Sequence, residues 1–281
     1  MDLLKPCTTV KSIIDWRFYA LLFLLVALAS CNRHADKALG KLTIDSLSVK
    51  EDIPLFEGPS APVNRLTIKF IYPKTVDGDS MLLKNVQAEF VKAFFGPEYA
   101  RLSPKEAFKS FHDKYKADYL GTASGYEKAK ADGLPMESWG NTYQMMNNDT
   151  VASEKGILSF TTFVENFMGG AHGSHHTGYF NIDLKTGKLI TESDIFKGDY
   201  KAELSKLIIA ELLKDNKLSK PEELIEIGFF DLTDLTPNGN FLITKGGILY
   251  GFNEYEIAPY YMGLIKVFLP NEKIEHILRK K

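Results

Sequence analysis

The chain of 281 residues is 44% hydrophobic, 12% aromatic and 25% charged, the make-up of one large folded domain or two small ones and not of a disordered polymer. Its 34 Lys+Arg against 36 Asp+Glu leave a formal charge of -2, which offers no basic field to a phosphate backbone and argues against nucleic acid as a partner. Two cysteines exclude a disulfide-dense scaffold and a multi-cysteine zinc ribbon.

Residues 1–30 have the three parts of an export signal. Lys5, Lys11 and Arg17 supply the positive region, and Phe18 to Ala29 is an uncharged apolar run too short for a comfortable membrane span. Leu28-Ala29-Ser30-Cys31 then reads as a bacterial lipobox. Cleavage before Cys31 and acylation of its thiol with fatty (palmitate-type) chains would make a lipoprotein of the cell envelope, held outside the cytoplasm by lipid. An ordinary secretory signal with an incidental Cys31 is the alternative. Cys7 is lost with the signal, so a lipidated product keeps no free thiol for catalysis or metal binding. Residues 31–60 are polar and broken by Pro54, Gly58 and Pro59, as expected of a tether, although Leu42 to Val49 could pair as an edge strand.

Arg65 to Tyr72 alternates with period two and predicts a half-buried strand. Met81 to Phe95 places Leu82, Val86, Phe90 and Phe94 at helical spacing and stops at Gly96-Pro97. Ser103-Pro104-Lys105-Glu106 is a capping-box start for a helix carrying Ala107, Phe108, Phe111, Tyr115 and Tyr119. Strands are predicted over Trp139–Asn147 and Ile157–Phe167, flanking a turn region at Asn148-Asp149-Thr150, and again over Tyr179–Leu184. Lys185 to Lys188 is a tight turn into Leu189 and Ile190. Thr191–Asp194, Tyr200–Leu213 and Pro221–Ile227 read as helices, and Phe241–Thr244, Ile248–Phe252 and Leu264–Leu269 as late strands. The pattern predicts an α+β protein of two lobes, a smaller one at 61–140 and a larger one at 141–281.

Three segments carry a family resemblance: Gly169-Gly-Ala-His172-Gly173, Tyr179 to Lys188 running into Ile195-Phe196, and Phe252-Asn-Glu-Tyr-Glu-Ile-Ala-Pro-Tyr260. Their order and spacing resemble the extracytoplasmic C-terminal domain of RsiV-like anti-sigma factors, a domain of unknown function that also occurs beside the PdaC peptidoglycan deacetylase domain. The stretch from Val63 to Trp139 is more weakly similar to the smaller domain that precedes it in those proteins. The resemblance implies a C-terminal lobe similar to an Hsp70 ATPase subdomain without a nucleotide site, and lysozyme or peptidoglycan as the ligand class. Neither a cytoplasmic anti-sigma segment, a spanning helix nor a deacetylase domain can be read in the sequence, so those activities are not expected of it.

Half of the six histidines, His172, His175 and His176, fall in Gly169–Gly178. Imidazoles at this density suit a metal, with Glu165 or Asp183 as a further ligand, in a metallohydrolase of envelope polymers. Four glycines in ten residues oppose the helix that would aim His-x-x-His at one ion, and no His-Glu-x-x-His motif is present. The competing expectation is a glycine-rich connection in which His172 ties down backbone carbonyls while His175 and His176 face solvent. No Gly-x-Ser-x-Gly elbow or phosphate loop occurs. The carboxylate pairs Asp231/Asp234 and Glu254/Glu256 suit a solvated surface better than acid–base work. Tyr255, Tyr260 and Tyr261 around Pro259 form the densest aromatic group, suited to a protein or sugar ligand or to fixing a bend. The expectation for function is a non-enzymatic binding module without cofactor, whose ligand-contacting residues are His172, His175, His176, Tyr255, Tyr260 and Tyr261.

Overall fold

The computed structural model describes residues 42–76, 79–136, 139, 142–154 and 156–279. The expected signal peptide and the lipidation site Cys31 lie outside the described residues. Among the described residues no helix is long and apolar enough to cross a membrane.

Six strands form one sheet in chain order: β1 (Thr43–Pro54), β2 (Val63–Thr75), β3 (Thr142–Glu154), β4 (Ile157–Phe167), β5 (Ser174–Asp183) and β6 (Lys188–Leu189). Neighbours are antiparallel except β2 and β3, which run parallel from Asn64↔Thr142 to Lys69↔Asn147. A parallel pair requires a crossover. Three helices supply it: α1 (Ser80–Phe95), α2 (Pro104–Leu120) and α3 (Ala123–Ala131), the last of which carries no strong sequence signal. Asp79 caps α1 by accepting from Met81 N and Leu82 N, and Gly96 ends it. The capping box of α2 forms as expected, with Ser103 N donating to Glu106 at 2.9 Å.

The helices cover one face of the sheet. Leu66, Ile68 and Phe70 of β2 point into that face, while Arg65 before them and Lys69 among them point away. Phe90 of α1 stacks on Phe160 of β4 with 3.9 Å between ring centroids, and Phe160 stacks in turn on Phe180. A second apolar core lies toward the C-terminus. There α5 (Lys201–Asp215), after the short α4 (Glu192–Ile195) and before α6 (Pro221–Glu226), packs Leu204, Ile208 and Leu212 against an antiparallel sheet. That sheet is β7 (Phe241–Ile243), β8 (Gly247–Phe252) and β9 (Ile265–Pro270), with α7 (Asn271–Ile274) closing its end.

Three expectations need correcting. Residues 43–54, assigned to the tether, form β1 and pair with β2 along their whole length, so the edge-strand alternative extends to Pro54. The turn expected at 148–150 lies inside β3, and the chain reverses between Glu154 and Ile157. Asn148 is consumed by the sheet: its side chain accepts from Ile71 N at 2.7 Å and donates to Ile71 O at 2.8 Å. The divide expected at 140/141 falls between β2 and β3, whose pairing places both sides in one sheet. The two apolar cores part instead between Ile182 and Phe196, and the described residues of both belong to one compact unit.

Side-chain amides join the two cores. β6 is two residues long, so most of the outer edge of β5 has no neighbouring strand. Asn240 accepts from Tyr179 N at 2.7 Å and donates to Thr177 O at 3.0 Å. Asn253 accepts from Thr177 N at 2.7 Å. Asn181 of β5 reaches the other way, donating to Phe241 O and accepting from Ile243 N, both at 2.8 Å. Buried backbone groups must find partners, and here asparagine side chains do what a strand would otherwise do.

Candidate functional site

β4 and β5 are joined through Met168–Gly173, and β5 begins at Ser174. His175, His176 and Thr177 are therefore strand residues, and only the first part of the glycine-rich segment is a loop. Gly178 serves close packing and not a turn, since a Cβ there would come within 2.6 Å of both the Phe180 ring and Thr162 Oγ1. Successive strand residues point to opposite faces, so His175 and His176 diverge. His175 shares its face with Glu165, its register partner on β4.

The second half of the site is the bend after β8. Asn253 holds the start of this bend against Thr177, and Glu254 follows it directly. Tyr255 lies at φ 66, a left-handed conformation rare for a bulky residue, held by a bond from Tyr255 N to Ala258 O. After Pro259 a short 3₁₀ turn carries Tyr260, Tyr261 and Met262. Gly228, at φ 109, makes room beside Tyr261: a Cβ there would sit 2.3 Å from its hydroxyl.

The two halves meet. The His172 ring stacks on Tyr260 with centroids 4.0 Å apart, and His175 and Tyr255 flank the same tyrosine at 5.9 and 6.2 Å. His175 Nδ1 donates to Glu254 Oε1 at 2.7 Å. His172 Nδ1 faces Gly173 O at 2.8 Å and must donate to it, so Nε2 is left to accept from the Tyr255 hydroxyl at 3.4 Å. Tyr143 donates to Glu165 at 2.7 Å, and that bond to an anion pushes its phenol pKa up. Desolvation, then the charge of Glu254, raises the phenol of Tyr260. A groove of about 450 Å³ opens between Phe163, His175 and Thr177 on one side and Glu254, Tyr260 and Tyr261 on the other.

Five of the six expected contact residues thus fall on one face, and His176 does not. The alternative ligand set His172, His175 and His176 is not assembled, and among the described residues no group of three or more His, Cys, Asp or Glu could hold a metal ion. Of the roles expected of the histidines, His172 bonds a backbone carbonyl and His176 is exposed as anticipated, but His175 does not face solvent freely. His172 is exposed and bonds only its neighbour's carbonyl and a tyrosine, whereas His175 is half-buried on a carboxylate that is 10% exposed. Glu254 and Glu256 do not act as a pair: Glu256 accepts from Asn238 at 2.6 Å, away from the histidines. Asp183 turns its carboxylate onto Lys185 N, and Asp231 onto Thr233. Tyr143 and Phe163 join the site although neither is among the expected residues. Their only signal was period-two spacing that aligned them with Glu165 across the outer face of the sheet.

Comparison with known proteins places this geometry in a family. Residues 193–272 match the family described as "Protein of unknown function (DUF3298)". The crystal structure of a DUF3298 member from Bacteroides fragilis NCTC 9343 superposes with a TM-score of 0.80 at 30% identity, covering 87% of this chain and 96% of that one. The chain belongs to the DUF3298 family. A DUF3298 protein of Pseudomonas aeruginosa PAO1, 16% identical, shares the fold with a TM-score of 0.58 over 86% of this chain and 96% of its own. Anti-sigma-V factor RsiV of Bacillus subtilis (strain 168) is 24% identical over 186 residues, 65% of this chain; the chain spans 63% of the length of RsiV. The RsiV-like resemblance read from the sequence therefore holds. The DUF3298 match takes in most of the second core and the Tyr255–Met262 bend, while the histidine strand precedes it.

Proposed function

We propose that this protein is a lipid-anchored, non-enzymatic binding protein of the bacterial envelope, tethered through Cys31. Its ligand face is built from His172, His175, Tyr255, Tyr260 and Tyr261. The observation that carries the reading is the meeting of the β4–β5 connection with the Tyr255–Met262 bend. Tyr261 is 74% exposed and Tyr255 57%, so these rings are not spent on the core. Large aromatic side chains with polar tips, presented together at a groove, are what binding interfaces concentrate their energy on. Membership of DUF3298 and the likeness to an anti-sigma factor support a role in recognition outside the cytoplasm. We also propose, on the resemblance alone, that the C-terminal lobe at 141–281 is similar to an Hsp70 ATPase subdomain without its nucleotide site.

The leading ligand is lysozyme, with peptidoglycan second. Near-neutral net charge gives little long-range steering, so a cationic partner must be held by this local acidic and aromatic patch. Calorimetry of the full-length chain in mild detergent at ~0.15 M salt is the test. Lysozyme is expected to bind with micromolar affinity or better, and Tyr261→Ala to weaken it roughly tenfold, the cost of an aromatic interface residue. No heat and no co-elution at high concentration would remove lysozyme as the ligand.

A further inference from the structure

We infer that the groove beside His175 takes the guanidinium of an arginine side chain on the partner. This rests on the partner-binding reading above and names the chemistry of its central contact. Phe163, Tyr260 and Tyr261 line the groove, and His175 and Glu254 complete it. Aromatic faces attract a planar cation that stacks on them, and guanidinium does so better than ammonium.

The charge balance points the same way. Glu211, 2% exposed, is held by Lys214 at 2.9 Å and by Lys273, and Glu51 is held by Lys116 at 2.5 Å and His112 at 2.7 Å. Glu254, also largely buried, is met by an imidazole where those two carboxylates meet a lysine. Glu165 has the Tyr143 hydroxyl and lies 3.9 Å from His175 Nε2, beyond hydrogen-bond reach. Among the described residues no lysine or arginine lies within ion-pair distance of either glutamate. A carboxylate withdrawn from water is costly unless a cation meets it, and here the described residues supply no lysine or arginine. Glu254 Oε2 accepts one long bond, 3.4 Å from His175 N, so it retains capacity for a second donor. Arginine offers N–H donors in a fixed fork that can reach a carboxylate while its plane lies on a ring.

The test is titration of the full-length chain in mild detergent with Nα-acetyl-arginine amide, followed by the ring-proton shifts of His172 and His175. The neutral citrulline analogue and the lysine analogue serve as comparison probes. Saturable shifts are expected with the arginine probe, at least tenfold weaker affinity for citrulline, and weaker affinity for lysine. Glu254→Gln should weaken arginine binding at least fivefold, and Glu203→Gln on α5 should leave it unchanged. Should Glu254→Gln melt early, Tyr261→Ala at the exposed wall takes its place with an expected threefold loss. Citrulline binding as well as arginine, or arginine binding indifferent to both substitutions, would overturn the inference. Lysozyme binding without arginine-probe binding overturns it while leaving the partner reading intact; arginine-probe binding without lysozyme binding upholds it and removes lysozyme.

Discussion

Replacing Asn240 tests whether an asparagine side chain stands in for a strand. Asn240→Ala removes three hydrogen bonds: from Tyr179 N, to Thr177 O and to Gly251 O. Thr177 O keeps a donor in Asn253, and Gly251 O keeps one in Asn238. Tyr179 N is left without a partner, in a residue that is itself only 7% exposed. An orphaned buried donor costs about 1–3 kcal/mol, and with the two weakened acceptors the loss comes to about 2–4 kcal/mol. For a protein of this size that is ~5–15 °C in Tm, measurable by thermal and urea unfolding. A loss below ~1 kcal/mol would mean that water replaces the amide and that the seam is not a surrogate strand. Asn240→Asp separates the two halves of the role. The introduced carboxyl still accepts from Tyr179 N but faces the Thr177 and Gly251 carbonyl oxygens, which raise its pKa above the ~3.9 of an unfolded carboxyl. With the folded value raised, the penalty is absent below ~3.9 and grows as pH rises through the raised value. That variant should therefore be near wild-type stability in acid and most damaged near neutrality, and a flat difference across pH would refute the assigned orientation of the amide.

Cys31→Ser should release the protein from membranes or leave an unprocessed precursor, because serine cannot form the thioether; unchanged processing and sedimentation would sink the lipoprotein reading. Burial opposes ionisation of Glu211, yet its bonds to Lys273 and Lys214 outweigh this and hold the carboxyl below its ordinary 4.5. Its stabilisation is thus complete above 4.5 and lost as pH falls through the depressed value, so Glu211→Gln should flatten the acid limb of a stability profile and cost about 1–3 kcal/mol at neutral pH. His175→Ala strips the partner from a largely buried carboxylate and should cost about 1–3 kcal/mol, whereas His172→Ala loses a ring stack of about 0.5–1.5 kcal/mol and two exposed hydrogen bonds that water can replace. His176→Asn should stay within about 0.5 kcal/mol of wild type, and equal urea-unfolding losses at all three positions would contradict the strand alternation.

Local signals carried most of the elements. Ser103-x-x-Glu106, the period of Leu66, Ile68 and Phe70, and the spacing of Val86, Phe90 and Phe94 each state their structure within a few residues, and each forms. What stayed hidden depended on partners far away in sequence. Asn148 looks like a turn residue until Ile71, 77 positions earlier, claims both ends of its amide. The boundary at 140 looked like a domain edge because helices give way to strands there, but a parallel pairing is invisible in either strand alone. His172 and His175 differ in role because of Glu254, 79 residues beyond His175, and no local pattern marks which histidine it will meet.

The site and the seam between the cores are built from the same backbone. Asn253 fixes Thr177, two residues beyond His175, and the residue after Asn253 is Glu254, which takes the imidazole. The unpaired edge of β5 thus does two things at once: it docks the second core and sets the distance between the histidine strand and the tyrosine bend. Tyr261 and Tyr255 project from that frame largely exposed, so their side chains can change with less effect on the fold than those of the seam. Asn240 and Asn253 lack that freedom, because a one-residue slip of β5 would exchange the faces of His175 and His176 and break every amide contact along the edge. Under the proposed binding reading, ligand choice therefore changes by substitution at the tyrosine bend while the asparagine seam holds the geometry in place.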